Sequence, residues 1–421
     1  MRRLSIWRIG AGDPLLIGEI SWQPIRFHYS TAYLSHSSAQ AISLSLPLQE
    51  RPFSEAELMP YFDGLLPEHE SRIAIANALH TTPDDFPTIL LNCGQEIIGD
   101  IAVTETEAPT TTGSYIPLSA EELCCMFEGF SSLAKTNRKS RLSLAGTQGK
   151  TGLAHLSGYP YEEGWLQPIG GAASTHVLKV SPLEDIPYLE YLCMKAARTL
   201  GIRTPDAELI HAGRPILCVE RFDRICHMHD DELWVERLHQ EDVAQALGIV
   251  ASAKYSELSP STASALAELI RTKSHRPIVD LEEFLKVSLF NYLIGNCDNH
   301  LKNLSLLYSK NWSCLELAPA YDLLSTTRYE RFSTSMGMDI NGKREIGEIG
   351  PRDWIAFARS IGVHKSELGV QSKNLVENAV AAFSKAACSH PDTPMLEWLA
   401  ENLVEEMHAR WKVLESVANN V

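Results

Sequence analysis

The sequence predicts an α+β protein in which a β-rich N-terminal lobe precedes an all-helical C-terminal lobe. Alternation in "STHVLKVS" places Thr175, Val177 and Lys179 on one face of a strand. After about residue 236 the periodicity becomes helical and continues to the segment 395–417. A chain of 421 residues is also longer than one small core requires. Together these observations predict two lobes preceded by an additional N-terminal subdomain.

Composition narrows the class of protein. A hydrophobic content of 44% and no run of about eighteen apolar residues favour a cytoplasmic protein that does not cross a membrane. The start, "MRRLSIWRIG", lacks the apolar stretch of a secretion signal. Nine scattered cysteines without a CxxC pair indicate a reducing compartment. A net charge of −16 argues against nucleic-acid binding without a partner.

The first predicted domain, residues 1–105, combines short strands at 15–20 and 41–46 with a helix at 68–79 and an apolar segment at 88–92. A polar linker at 104–115 follows it.

The second predicted domain, residues 106–235, is β-rich with one inserted helix. Ser119 and Glu122 form a capping box, and Gly201 ends the helix that begins near residue 184. Strands are predicted at 207–211 and 216–221. The cluster of Cys226, His227 and His229 lacks a second pair of ligands at metal spacing, which favours a solvated loop over a metal site.

The third predicted domain, residues 236–421, is helical and carries the candidate catalytic residues. Its predicted helices cover 240–247, 262–271, 281–294, 351–360, 368–388 and 395–417.

The segment "RLSLAGTQGKTGL" suggests a loop that contacts phosphates, because it ends in Gly149-Lys150-Thr151. A Walker A loop needs glycine at position 144, which is Leu144, and a parallel βαβ context, whereas the flanking pattern is antiparallel. The glycines at 146, 149 and 152 are spaced three apart, which departs from G-x-G-x-x-G, so the assignment of a phosphate-covering loop depends on the kinase-like residues described next.

The segment "GNCDNHLKNLSLLY" places Asp298 and Asn303 at D-x4-N, and Asp322 follows in "LAPAYDLLST". This order matches a kinase-like phosphotransferase, in which an Asp accepts the hydroxyl proton and an Asn and a later Asp hold Mg²⁺. His300 and Lys302 lie between them and are candidates for stabilising developing charge.

The β-rich part supplies the nucleotide-binding candidates. Lys179 lies on a strand and Glu190 on the helix after it, which is the order of the kinase lysine–glutamate pair. The segment "CVERFDR" ends the last strand, so the main chain from Glu220 to Phe222 is a candidate hinge for adenine.

Six ordered motifs resemble the HipA family of bacterial toxin serine/threonine kinases over nearly the whole chain. They are "RLSLAGTQGKTGL", "THVLKV", "CVERFDR", "RLHQEDVAQALG", "NCDNHLKNLSLLY" and "LAPAYDLLS", and "FDGLLPE" with "IIGDIAV" is similar to the family's N-terminal subdomain. The resemblance implies a two-lobed, protein-kinase-like fold that uses ATP and Mg²⁺.

The resemblance also implies residue roles. Asp298 becomes the catalytic base, Asn303 and Asp322 become Mg²⁺ ligands, and Lys179 becomes the phosphate-binding lysine. Ser143 matches the serine that family members autophosphorylate. The implied phosphate loop consists of Ala145, Gly146, Thr147, Gln148, Gly149 and Lys150.

Two positions depart from the family pattern. Asn299 replaces the usual glycine after the catalytic Asp, and Ala145 replaces a second regulatory serine. Phosphate on Ser143 would add about −1.5 to −2 charge beside a loop that holds ATP phosphates, which favours self-inactivation.

By resemblance, the substrate is an aminoacyl-tRNA synthetase and the partner is a helix-turn-helix antitoxin through which the protein contacts DNA. Two alternatives stay open. A kinase-fold co-repressor with little phosphotransfer is disfavoured by intact Lys179, Asp298, Asn303 and Asp322. A kinase for a lipid or small-molecule hydroxyl is suggested by "GNCDNHLKN" but has no basic membrane-facing stretch in its favour.

Overall fold

A computed structural model describes residues 3–10, 12–93, 97–127, 149–229, 232–255, 261–330 and 332–420. The chain divides into two compact units. The first contains Met1–Glu184, Glu208–Ala251 and Leu307–Ser313, and the second contains Asp185–Ala207, Ser252–Leu306 and Cys314–Val421. The mixture of helices and sheets confirms the predicted α+β class. The predicted three-part domain division stays a prediction.

The first unit begins with a five-stranded antiparallel sheet in the order β4-β3-β2-β1-β5. Its strands are β1 Arg3–Arg8, β2 Leu15–Trp22, β3 Ile25–Tyr29, β4 Phe53–Ser54 and β5 Ile101–Thr104. The accompanying helices are α1 Thr31–Leu34, α2 Glu55–Phe62, α3 His69–Ala78 and α4 Phe86–Cys93.

A second sheet of six strands has the order β10-β11-β9-β7-β8-β6. Its strands are β6 Gly113–Pro117, β7 Gly149–His155, β8 Trp165–Gly170, β9 His176–Val180, β10 Ala207–His211 and β11 Pro215–Glu220. Helix α5, Ala120–Phe127, packs Leu123 and Phe127 against one face of this sheet, where Leu153, Leu178 and Cys218 are also buried. Alternation along the strands therefore directs Lys150 and Lys179 to the opposite face.

The second unit is mainly helical. Its helices are α6 Asp185–Thr199, α8 Thr262–Lys273, α9 Pro277–Ile294, α10 Pro351–Ser360, α11 Lys365–Ala387 and α12 Thr393–Asn420. Helix α6 packs on α11 and α12, and Gly201 follows it with a φ of 81°. That conformation suits glycine and ends the helix where the sequence predicts.

Four predicted features need correction. The C-terminal part is not all-helical, because Ser335–Ile340 (β17) and Lys343–Glu345 (β18) form an antiparallel hairpin there and β16 covers Leu315–Leu317. Residues 41–46 form one bridge between Ser43 and Leu46 rather than a strand.

The predicted helix at 240–247 begins instead with strand β14, Gln240–Asp242, and only Val243–Ala246 (α7) is helical. The cause is a capping box, because the Asp242 carboxylate accepts from the Gln245 N–H at 2.8 Å. The predicted loop around Cys226 is an antiparallel pair, β12 Arg224–His229 and β13 Glu232–Arg237. Its alternation was masked by polar residues on both faces.

Candidate functional site

The candidate catalytic segment begins where helix α9 ends. Gly295 caps this helix with a φ of 76°, and a Cβ there would lie 2.1 Å from Thr327 Oγ1. Residues 296–300 follow, then one 3-10 turn at Leu301–Asn303 and strand β15, Ser305–Tyr308. The glycine therefore both ends the helix and lets the 325–327 segment pack closely against it.

Main-chain bonds fix Asp298 within this segment. Its N–H donates to Asn296 Oδ1 at 3.2 Å. Its carbonyl accepts from the His300 N–H at 2.8 Å and from Asn303 Nδ2 at 2.9 Å. The D-x4-N spacing thus closes a compact turn in which the predicted base and the predicted metal ligand touch.

Asp322 is joined to the same segment through Asn296. The Asn296 amide donates to the Asp322 carbonyl at 3.0 Å and to Asn291 Oδ1 at 2.8 Å. Asp322 itself has a φ of 57°, a left-handed conformation that is uncommon outside glycine, although Asn and Asp adopt it more readily than other residues. Such strain is commonly retained where function requires it. Hydrogen bonds through Asn296 thus connect Asp298, Asn303 and Asp322 in one network.

The donor atoms here fit Mg²⁺. Because Nδ2 of Asn303 is used on the Asp298 carbonyl, Oδ1 is the amide atom left for a cation. A carboxylate and an amide oxygen are hard ligands, and Mg²⁺ usually takes one or two protein ligands plus water and phosphate oxygens. Among the described residues, no cluster of three His, Cys, Asp or Glu side chains suited to a metal occurs.

The His300 and Lys302 side chains inside the turn are buried. His300 is 6% exposed and Lys302 is 7% exposed. Tyr321 donates to the Lys302 carbonyl at 2.8 Å. Burial raises the pKa of the neighbouring Cys297 thiol to about 11, so this cysteine is a neutral thiol at physiological pH. A charge-stabilising role for His300 and Lys302 stays a prediction.

Two neighbours of the segment have no signal in the sequence. Gly337 on β17 lies so close that a Cβ there would be 2.6 Å from the Asn299 carbonyl carbon and 2.8 Å from the His300 nitrogen. The Tyr255 hydroxyl donates a hydrogen bond to Asp298 Oδ1. Both residues are distant in sequence from residues 296–303, so only chain folding brings them to the site.

The nucleotide-binding candidates on the six-stranded sheet belong to the first unit. Lys150 on β7 lies directly opposite Lys179 on β9, and Lys179 is 6% exposed. Strand β7 is antiparallel to both β8 and β9, which supports rejection of the Walker A interpretation. Ser143 and the loop residues Ala145, Gly146, Thr147 and Gln148 lie outside the described residues.

Glu190 lies on helix α6 and is 1% exposed. This helix belongs to the second unit, whereas Lys179 belongs to the first. Two hydrogen bonds hold the helix to its own unit. Tyr188 donates to Asp392 Oδ2 at 2.6 Å, and the hydroxyls of Tyr191 and Ser389 lie 2.9 Å apart.

The predicted hinge follows strand β11. The Arg221 N–H donates to the Thr175 carbonyl at 2.8 Å, and Glu220 lies opposite His176 in the β9–β11 ladder. The role of the Glu220–Phe222 main chain as a hinge for adenine stays a prediction. The Arg221 guanidinium is 2.9 Å from Asp223 Oδ2, and the Gly99 N–H donates to the same oxygen at 2.9 Å. Burial raises the pKa of Asp223, but the combined effect of Arg221 and Arg224, which lower it, is larger. The pKa of Asp223 is therefore below its ordinary value.

Among the described residues, no helix combines the length and apolar character needed to cross a bilayer.

Comparison with known proteins gives the family. Residues 142–388 match the model of the HipA-like C-terminal domain, and residues 13–104 match that of the HipA N-terminal domain. The protein Y4mE of Sinorhizobium fredii, whose name assigns it provisionally to the kinases, is 32% identical over 400 residues. That match covers 91% of this chain and 92% of the relative.

Two further comparisons concern Shewanella oneidensis. Its serine/threonine-protein kinase toxin HipA is 28% identical over 374 residues, which covers 85% of this chain and 83% of the toxin. A solved structure of the Shewanella oneidensis HipA, HipB and operator DNA complex contains a chain with a TM-score of 0.81. It covers 99% of this chain and 100% of that chain at 24% identity, so it supports the fold.

Proposed function

The chain belongs to the HipA family, and on that premise we propose that it is an ATP- and Mg²⁺-dependent serine/threonine protein kinase, the toxin of a toxin–antitoxin pair. The observation that carries the proposal is the hydrogen-bond network that connects Asp298, Asn303 and Asp322. A base and two hard oxygen donors in that order are what phosphoryl transfer from ATP requires.

The proposed reaction is transfer of the γ-phosphoryl group. Asp298 accepts the proton of a serine or threonine hydroxyl on the substrate, while the oxygen of that hydroxyl forms a bond to the γ-phosphorus. The bond from that phosphorus to the bridging oxygen breaks and ADP leaves. Mg²⁺ bound by Asn303 Oδ1 and the Asp322 carboxylate would supply charge neutralisation at the phosphates.

The remaining predicted residues serve the nucleotide. Lys179 and Lys150 bind phosphate oxygens, with Glu190 as the ion-pair partner of Lys179. The loop of residues 145–150 covers the phosphates, and the Glu220–Phe222 main chain binds adenine. His300 and Lys302 add positive potential near the base.

Partners and regulation are proposed from the family. Because the Shewanella oneidensis protein is named as a toxin and is seen with HipB and operator DNA, we assign this chain a helix-turn-helix antitoxin. A net charge of −16 supports contact with DNA mainly through that antitoxin. An aminoacyl-tRNA synthetase is the proposed substrate, and autophosphorylation of Ser143 the proposed off-switch.

The test uses purified full-length chain, Mg²⁺ and γ-labelled ATP, with and without bacterial extract. The wild type is expected to label itself and a discrete extract protein, which mass spectrometry identifies. Asp298→Asn is expected to remove both signals, whereas the matched control Asp13→Asn, at an exposed turn, leaves them unchanged.

Each alternative has its own outcome. A wild type that labels no protein overturns the kinase proposal, and antitoxin binding without labelling indicates the co-repressor. Label in a lipid or metabolite fraction indicates the small-molecule kinase. If Ser143→Ala leaves self-labelling intact, the regulatory serine is wrong while the kinase stands.

A further inference from the structure

Two chain segments of the second unit meet beside the proposed catalytic turn, one at the end of helix α9 and one after Asp322. At one end of this contact the Asn296 amide donates to the Asp322 carbonyl at 3.0 Å. At the other end the main-chain N–H groups of Thr326 and Thr327 both donate to the Gly295 carbonyl, at 3.0 and 3.1 Å. The segment that carries the proposed base is therefore joined at two points to the segment that carries the proposed metal ligand.

The Thr326 hydroxyl joins the two segments through both of its hydrogen-bonding functions. Its oxygen accepts from the Cys297 N–H at 2.8 Å, and its proton is donated to the Gly295 carbonyl at 3.2 Å. Thr326 and Cys297 are both buried. A hydroxyl can accept from one main-chain group and donate to another at the same time. Because Cys297 immediately precedes Asp298, the first of these bonds fixes the main chain from which the proposed base extends.

The far end of the segment after Asp322 is held by other contacts of the same unit. The Tyr329 hydroxyl donates to Asp185 Oδ2 on helix α6 at 2.8 Å. The Arg328 guanidinium donates to Glu406 Oε1 on helix α12 at 2.7 Å. These contacts do not involve the Thr326 side chain, so loss of its hydroxyl is expected to displace the catalytic turn locally while the segment stays docked.

We propose that Thr326 is a positioning residue for phosphoryl transfer, an inference that rests on the proposed functions of Asp298 and Asp322. The hydroxyl fixes the spacing between the turn that carries the base and the segment that carries the metal ligand. Proton acceptance by Asp298 and charge neutralisation beside Asp322 must act on the same phosphoryl group, and small displacements of catalytic groups cost rate. Thr326 therefore acts on the chemical step rather than on ATP binding.

The experiment compares Thr326→Val and Thr326→Ser with the wild type. Valine keeps the shape of threonine and loses both hydrogen-bonding functions, whereas serine keeps the hydroxyl. Full-length proteins transfer phosphate to the labelled extract protein at a temperature at which circular dichroism shows each variant to be fully folded. We expect kcat to fall about tenfold in Thr326→Val, to stay close to the wild-type value in Thr326→Ser, and the KM for ATP to be unchanged in both.

A matched control separates the site from the substitution. Thr272→Val removes a hydroxyl that donates to the Glu268 carbonyl at 2.8 Å within helix α8, and kcat should not change. The melting temperature of Thr326→Val is expected to fall, because the buried Cys297 N–H loses this acceptor. If that variant does not fold, Thr326→Cys in reducing buffer replaces it, since a thiol forms only weak hydrogen bonds. Its kcat should then lie below that of Thr326→Ser.

Each other result overturns the inference. A folded Thr326→Val with a lower melting temperature and a wild-type kcat indicates a merely structural residue, as does Thr326→Cys with the kcat of Thr326→Ser. A higher KM for ATP with unchanged kcat indicates a role in nucleotide binding instead. An equal loss of kcat in the serine and valine variants shows that packing, and not the hydroxyl, matters. Failure of the proposed function is separate, since wild type would then show no transfer or Asp298→Asn would retain it.

Discussion

The side-chain amide of Asn303 donates a hydrogen bond to the main-chain carbonyl of Asp298 at 2.9 Å. This contact assigns the two ends of the amide different tasks. The nitrogen holds the turn that carries the proposed base, and the oxygen is directed to the proposed cation. The D-x4-N spacing thus closes a hydrogen-bonded turn in addition to supplying two proposed functional residues.

Replacing Asn303 by Asp tests that division. The carboxylate keeps an oxygen for Mg²⁺ but loses the donor and places an oxygen against the Asp298 carbonyl. We expect phosphotransfer to fall at least about tenfold, equivalent to about 1.4 kcal/mol, with nucleotide binding retained. Kinetics and ATP titration measure both, and Asn378→Asp on the exposed face of α11 is the control. Full activity in Asn303→Asp would contradict the bonded turn as a requirement.

The strain at Asp322 predicts a separation of stability from activity. Both Asp322→Gly and Asp322→Ala remove the carboxylate, and both are expected to be inactive. Glycine accepts the φ of 57° freely, whereas alanine retains the left-handed cost of about 1 kcal/mol. Thermal unfolding should therefore show a lower melting temperature for the alanine variant than for the glycine variant. Equal melting temperatures for the two variants would show that the conformation carries no strain.

Gly337 predicts a packing effect on the catalytic turn. An alanine Cβ would meet main-chain atoms of Asn299 and His300, so the turn or β17 must shift. Overpacking of this kind costs about 1–3 kcal/mol. We expect Gly337→Ala to lower both phosphotransfer and the free energy of unfolding. Gly347→Ala is the control, because no atom lies within 4 Å of its added Cβ. Similar behaviour of the two variants would refute the close approach.

The opposed lysines of the sheet predict nucleotide-dependent stability. A ligand at about 100 times its Kd stabilises a protein by about 2.7 kcal/mol. We expect ATP to raise the melting temperature of wild type, Lys179→Met to abolish that rise and Lys150→Met to reduce it. Lys373→Met removes an exposed lysine of α11 and should respond like wild type. A normal ATP response in Lys179→Met would exclude it from the nucleotide site.

His176 predicts a pH dependence of stability. Burial, and after it the neighbouring His155, lowers the pKa of His176 to about 3, below its ordinary 6.5. Between these values the unfolded chain binds the proton and the folded chain does not, so stability falls as pH decreases. The slope from this group is at most about 1.4 kcal/mol per pH unit. Denaturant titrations between pH 7 and 5 should show a shallower slope for His176→Gln, and an identical slope would contradict the shift.

The sequence was sufficient where a local rule decides the structure. Alternation in "STHVLKVS" predicted β9, the box of Ser119 and Glu122 begins α5, and Gly201 ends α6. It failed where a rule competes with another. The 240–247 segment has a helical pattern, yet Asp242 caps the helix late and leaves the first residues as a strand. The residues of the β17–β18 hairpin alternate only weakly between polar and apolar, and neither of its strands was predicted.

For the site, the sequence by itself determined which residues are proposed and their order along the chain: a strand lysine, a helix glutamate, Asp298 with Asn303, and Asp322. These identities follow from chemistry that needs particular side chains at short spacings. Only the tertiary structure placed Tyr255 on the Asp298 carboxylate, Gly337 against the turn, and Asn296 between Asn291 and Asp322. Such contacts join residues far apart in the chain, and no local periodicity records them, because they depend on how separate elements pack.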